Sequence, residues 1–224
     1  MTQNPYKTDA DLKSAIVEEL GWTPEVDAER IGVAVTEGAV TLSGQVATYP
    51  EKAAATNAAL RVGGVTAVAD GIVVANDLAR RDDGDLAREA AKALSWMVSV
   101  PAGTVQATVQ DHVITLTGTV ERQFQRVAVQ RTIAGLRGVR DVRNRITLTP
   151  SIVAVSGADA EAKIIDAMVR NARLDAQLVH VTVAGTGITL TGNVSSWAES
   201  RQAAHAAWAS PGVTEVDNRL VVVS

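Results

Sequence analysis

Three histidines, His112, His180 and His205, are the only imidazoles for acid–base work or metal ligation in a chain of 224 residues that has no cysteine. Without thiols there can be no disulfides, zinc–thiolate sites, iron–sulfur clusters or cysteine nucleophiles. The histidines read onto a hairpin turn, a polar strand face and a helix, at unrelated positions and without a partner at metal-ligand spacing. Two adjacent carboxylate pairs, Glu18-Glu19 and Asp82-Asp83, could support paired acid–base chemistry on a glycoside. Pairs of this kind on a helix face or in a linker are ordinarily solvated. No serine stands in a Gly-x-Ser-x-Gly elbow. The reading is a non-enzymatic chain with no catalytic, metal or cofactor site.

Arginine is the residue type that concentrates. Residues 1–76 carry a net charge of −5, residues 77–150 a net +3 and residues 151–224 a net −2, within −4 for the whole chain. The middle third holds Arg122, Arg126, Arg131, Arg137, Arg140, Arg143 and Arg145. If Val142, Ile146 and Leu148 face a core, then Arg143 and Arg145 project from the opposite sheet face, beside Thr115, Thr117 and Thr119. With Arg137 and Arg140 nearby in sequence, such a face can take phosphate head groups through bidentate guanidinium contacts. It can equally take another anion, or dock on the acidic first third, within the chain or between chains. The acidic balance and a pI near 5.4 argue against a generic nucleic-acid binder.

The elements that must position these side chains follow from self-similarity. Gly44, Gly118 and Gly192 are spaced 74 residues apart, and so are Gly64, Gly138 and Gly212. The same period joins Asp11, Asp85 and Asp159, and strand-like columns such as Leu42/Leu116/Leu190 and Val68/Val142/Val216. A gapless period of this length means three copies of one folding unit. We place them at 8–76, 84–149 and 157–224. Aromatic residues make up only 3% of the chain, so the cores must be built from Ala, Val, Leu and Ile. That suits several small cores.

Within each copy the period of the apolar residues changes along the chain. Leu12, Ala15, Ile16 and Leu20 fall at helical spacing, and residues 85–96 and 159–170 repeat the pattern, with Asp9 or Asp11 able to serve the N-terminal turn. Residues 179–194 alternate apolar and polar on both sides of Ala-Gly-Thr-Gly, which predicts a β-hairpin. Thr36-Glu-Gly-Ala39 and Gln110-Asp-His112 occupy the equivalent turns. A second helix is expected over 51–62, 122–136 and 199–209, closed by Gly64, Gly138 and Gly212 as left-handed C-caps. A last strand follows each. Gly44, Gly118 and Gly192 would lie inward on the second strand, where a missing side chain lets a helix approach the sheet. The expected fold is α+β: three tandem two-layer α/β sandwiches, each helix–strand–strand–helix–strand, with two helices covering one face of a three-stranded mixed sheet.

The string Val-Thr-Leu-Ser-Gly-Gln-Val with Gly-Val-Thr-Ala-Val-Ala-Asp resembles the BON domain, the bacterial osmotic-stress and nodulation module. So do Ile-Thr-Leu-Thr-Gly-Thr-Val with Gly-Val-Arg-Asp-Val-Arg-Asn, and Ile-Thr-Leu-Thr-Gly-Asn-Val with Gly-Val-Thr-Glu-Val-Asp-Asn. The resemblance covers essentially the whole chain as three copies. It implies a non-catalytic module of the kind that binds phospholipid membranes in osmotic or envelope stress. The alternative is a cytosolic scaffold that binds a protein, an ion or a nucleic acid without a membrane role. Self-association or another protein stands beside anionic phospholipid among the expected partners.

No signal peptide, lipobox or membrane-spanning run is visible, so the expected location is cytoplasmic, at most peripheral to a membrane. Trp22 and Trp96 share one repeat position, while Trp197 and Trp208 flank the third copy's second helix. They are expected to pack as lids over the small cores, the alternative being anchoring in a bilayer or a partner groove. Ile152, Val153 and Val155 are too apolar for a free tether, so the second linker is expected to pack.

Overall fold

In the first repeat, Thr8 caps helix α1 (Asp9–Gly21) by accepting the Asp11 N–H, and Leu12, Ile16 and Leu20 are its buried residues. The apolar spacing therefore selects one helix stripe, as expected, and the cap falls one residue before Asp9. The protein is seen in a computed structural model that describes residues 8–75, 82–149, 179–210 and 212–223. The expected first helix of the third copy and the linker over 150–158 lie outside the described residues.

Strands β1 (Ile31–Thr36) and β2 (Ala39–Val46) form an antiparallel hairpin. Helix α2 (Tyr49–Arg61) then crosses back, with Thr48 accepting the Glu51 N–H and Pro50 in the first turn, where its missing N–H costs nothing. The crossover returns β3 (Ala67–Val74) parallel to β2, giving the sheet order β1-β2-β3. The second repeat follows the same plan with α3 (Asp83–Ser95), β4 (Val105–Gln110), β5 (Val113–Val120), α4 (Gln123–Ala134) and β6 (Asp141–Leu148). In the third, β7 (Val179–Ala184), β8 (Gly187–Val194), α5 (Trp197–Trp208) and β9 (Glu215–Val222) repeat it again. Each repeat has its own three-stranded mixed sheet and its own core. Helix and strand residues such as Ile16, Ala58, Leu42 and Ile72 share the first core, so α1 and α2 cover the same sheet face. The expected two-layer fold is the one observed.

A polar signature ties each last strand to its second helix. The inward Asp70 accepts the Ile72 N–H and the Thr56 hydroxyl and lies 3.4 Å from the Lys52 ammonium. Asn144 accepts the Ile146 N–H and donates to the Arg126 carbonyl and to Gln130. Asn218 accepts the Leu220 N–H and donates to Ser200. One acceptor oxygen satisfies the strand, and the remaining polar capacity is spent on the helix.

The repeated glycines are structural for reasons other than those expected. Gly44 has φ +126°, and a Cβ there would come within 2.1 Å of the Arg30 carbonyl oxygen, while at Gly118 (φ +130°) it would meet the Thr104 oxygen at 2.0 Å. What approaches is the backbone entering the neighbouring strand, not one of the helices that cover the sheet. Gly192 shares the conformation at φ +119°. Gly64, Gly138 and Gly212 do have positive φ, at +89°, +95° and +81°. They are not helix C-caps, because α2, α4 and α5 are capped by Val62, Gly135 and Ala209. They instead turn the chain into the last strand, whose leading N–H groups at Thr66, Arg140 and Thr214 bond to the hairpin turns at Gly38, His112 and Thr186.

Candidate functional site

Residues of the open sheet faces stand in rungs across the three strands. In the second repeat Thr108, Thr115 and Arg143 are in register, as are Gln106, Thr117 and Arg145. Val142, Ile146 and Leu148 are buried and Arg143 and Arg145 exposed, so the alternation expected along β6 holds. Neither arginine has an ion-pair partner among the described residues. The equivalent rungs of the first repeat end in Ala69 and Gly71, which carry no charge. Those of the third end in Asp217 and Arg219, which pair with each other at 2.7 Å. The same scaffold therefore presents three chemistries, and only the middle one offers two unsatisfied guanidinium groups. Their planar donor forks suit bidentate acceptors such as phosphate or carboxylate.

The other arginines of the middle third disperse. Arg137 and Arg140 are exposed in the loop between α4 and β6, next to the strand but outside its rungs. Arg126 lies half-buried, 4.9 Å from the ring centroid of Trp208, and burial lowers its pKa. Among the described residues, neither Arg143 nor Arg145 bonds to the first repeat. The repeats meet elsewhere.

They meet through aromatic residues at the ends of α2 and α5. The Tyr49 hydroxyl, at the start of α2, lies against the Asp141 carboxylate and the Val142 backbone at the start of β6, and its ring packs on the second core. Burial, then Asp141, raises its pKa. Trp197, at the start of α5, packs on the first core and donates its indole N–H to the Thr66 carbonyl at 3.2 Å, just ahead of β3. Beside it, Arg201 donates to Asn57 of α2, and burial together with Arg61 lowers its pKa. Trp208 packs on both the second and third cores beneath Arg126. First repeat to second, second to third and third to first, the contacts close a ring.

Two of the four tryptophans depart from the expected lid role. Trp22 and Trp96 are 76% and 74% exposed at the ends of α1 and α3, and the Lys92 ammonium lies 5.0 Å from the Trp96 ring. Glu19, Asp82 and Asp83 of the acidic pairs serve structure: Glu19 binds Arg61 at 2.7 Å, and Asp82 caps α3. Asp83 accepts the N–H groups of Asp111 and His112, as Asp9 does those of Glu37 and Gly38. Among the described residues His, Asp and Glu nowhere gather as a metal set, and no helix is long and apolar enough to cross a membrane.

The BON domain model matches residues 8–76, 82–150 and 156–224. No curated protein matches the chain. Among solved structures, one of CdsD, a structural protein of the Type III secretion system of Chlamydia trachomatis, is 15% identical with a TM-score of 0.26, covering 95% of this chain and 92% of that one. A structure of the C-terminal domain of the same protein is 14% identical with a TM-score of 0.27, covering 97% and 100%.

Proposed function

The chain belongs to the BON domain family, and from that premise we propose that it is a non-catalytic three-repeat module whose middle sheet face receives anionic phospholipid head groups. The observation that supports this most is the exposed, unpaired couple Arg143 and Arg145, in register with Thr115 and Thr117. Guanidinium forks supply the charge-assisted bonds, and the threonine hydroxyls supply neutral donors one strand away. Arg137 and Arg140 add to the attraction at longer range, which salt screens over about 10 Å at 0.1 M. An osmotic or envelope stress role is the setting that the family resemblance suggests for such binding.

Co-sedimentation with anionic and neutral vesicles tests the reading. Binding should require anionic lipid, fade as salt rises, and be lost in Arg143→Glu/Arg145→Glu with the fold intact. The exposed Trp22 and Trp96 favour a second reading, a scaffold whose partner protein covers these rings. Absence of binding to either kind of vesicle would select it.

A further inference from the structure

The ring is closed by a seam between repeats that no linker joins. Trp197 and Thr66 are 131 residues apart, and Arg201 and Asn57 are 144 apart. The other two seams join consecutive repeats, whose short connections keep them together even when their contacts break. The seam between the third and first repeats has no such tether, and closing it carries the loop-closure entropy of two whole repeats.

Its geometry is head-to-tail. A plug on one repeat, Trp197 with Arg201, meets a different surface on another, the Thr66 carbonyl with Asn57. Interfaces of this heterologous kind form closed rings or pass from molecule to molecule. The bonds are also accessible to solvent: both hydrogen bonds lie in exposed surroundings, and Trp197 is only partly buried against the first core. Arg201 is partly desolvated at this seam, near Arg61, which Glu19 pairs.

We propose that the seam between the third and first repeats opens, and that its plug and socket then fit a second copy of this chain. Two opened chains satisfy each other reciprocally: the Trp197 plug of each enters the Thr66 and Asn57 socket of the other. The exchanged dimer makes the same contacts as the closed monomer, so concentration decides between them. At low concentration the intramolecular seam wins, because its effective concentration exceeds that of free chains. This exchange does not depend on the lipid reading, since Arg143 and Arg145 take no part in the seam.

The absence of cysteine makes the test direct. One preparation carries Asn57→Cys, another Arg201→Cys, and Trp197 remains in both. After the two are mixed at high concentration, a short bismaleimide should link one of each into a dimer. Its yield should rise with concentration, and neither preparation alone should give it. A chain carrying both substitutions should cross-link internally at high dilution. Adding Trp197→Ala to the Arg201→Cys chain should reduce the mixed dimer several-fold. If the double-cysteine chain closes internally while the mixture yields no dimer at any concentration, the seam does not exchange and the proposal is wrong. If the double-cysteine chain fails to cross-link internally, the seam itself is absent and the proposal fails with it.

Discussion

The indole N–H of Trp197 donates to the carbonyl of Thr66 at 3.2 Å, joining the third repeat to the first. Trp197→Phe keeps an aromatic ring against the first core but loses this bond and part of the ring's contact, so it should cost at least about 0.5–1.5 kcal/mol. Trp197→Ala also removes the packing and should cost about 2 kcal/mol or more, since full Trp burial is worth about 3–5 kcal/mol and this ring is half-buried. Denaturant midpoints would rank the two variants. Small-angle scattering should give a larger radius for the alanine variant alone.

Gly118 and Gly103 separate two costs that a single glycine substitution usually mixes. Both have positive φ, +130° and +80°, but a Cβ at Gly118 would lie 2.0 Å from the Thr104 oxygen, whereas at Gly103 nothing lies within 4 Å. Gly103→Ala should therefore cost only the left-handed backbone penalty, about 1–2 kcal/mol. Gly118→Ala adds a clash with strand backbone that cannot move without breaking the ladder, worth about 1–3 kcal/mol more. Equal unfolding midpoints for the two would remove the close-approach argument.

Tyr49 couples the first seam to alkaline pH. Burial and the facing Asp141 carboxylate raise its pKa above the ordinary 10.0. Above pH 10 the unfolded chain gives up the phenolic proton while the folded chain still holds it. The folded state then binds more protons, so stability falls as pH rises from there through the raised value. At neutral pH the contribution is fully present. Tyr49→Phe should lose this segment of the pH–stability curve, and parallel curves for the two proteins above pH 10 would exclude the coupling.

What the 74-residue period could reveal was whatever the copies share. Leu42, Leu116 and Leu190 marked the second strand of each copy, though not its central place in the sheet, and the alternation Val142, Arg143, Asn144, Arg145, Ile146 placed the two arginines on the open face. The contacts between repeats stayed hidden for the opposite reason. Two of them rest on Tyr49 and Trp197, unlike residues in one column of the repeat, because each meets a different neighbour. In a repeat protein, a helix-start column that varies while its surroundings hold is the signal that points to such contacts. The glycine columns were visible but their cause was not. Alternation puts Gly44 on the inward face, while only coordinates reveal φ +126° and the Arg30 carbonyl beside it. Trp22 and Trp96 misled because an aromatic residue ending an amphipathic helix usually covers the core, and here both rings point to solvent.

Gln123 and Gln125, two residues apart on the same helix, should respond to leucine with opposite signs. The side-chain oxygen of Gln125 accepts from the backbone N–H groups of Glu121 and Arg122, at 3.0 and 2.9 Å, and its amide donates to the Ser99 carbonyl at 2.7 Å. Gln125→Leu would strand three backbone groups in a part-buried setting. At about 1 kcal/mol or more for each, the loss should reach about 3 kcal/mol. The side-chain oxygen of Gln123 is buried and has no hydrogen-bond partner among the described residues. Its desolvation, about 1–3 kcal/mol for an unsatisfied polar group, is a cost the native protein already bears. Gln123→Leu keeps the volume, removes that cost and should hold stability level or raise it by about 1 kcal/mol. Denaturant titration of the two variants beside the parent protein decides the point, and a destabilised Gln123→Leu would mean that this oxygen has an acceptor role in solution.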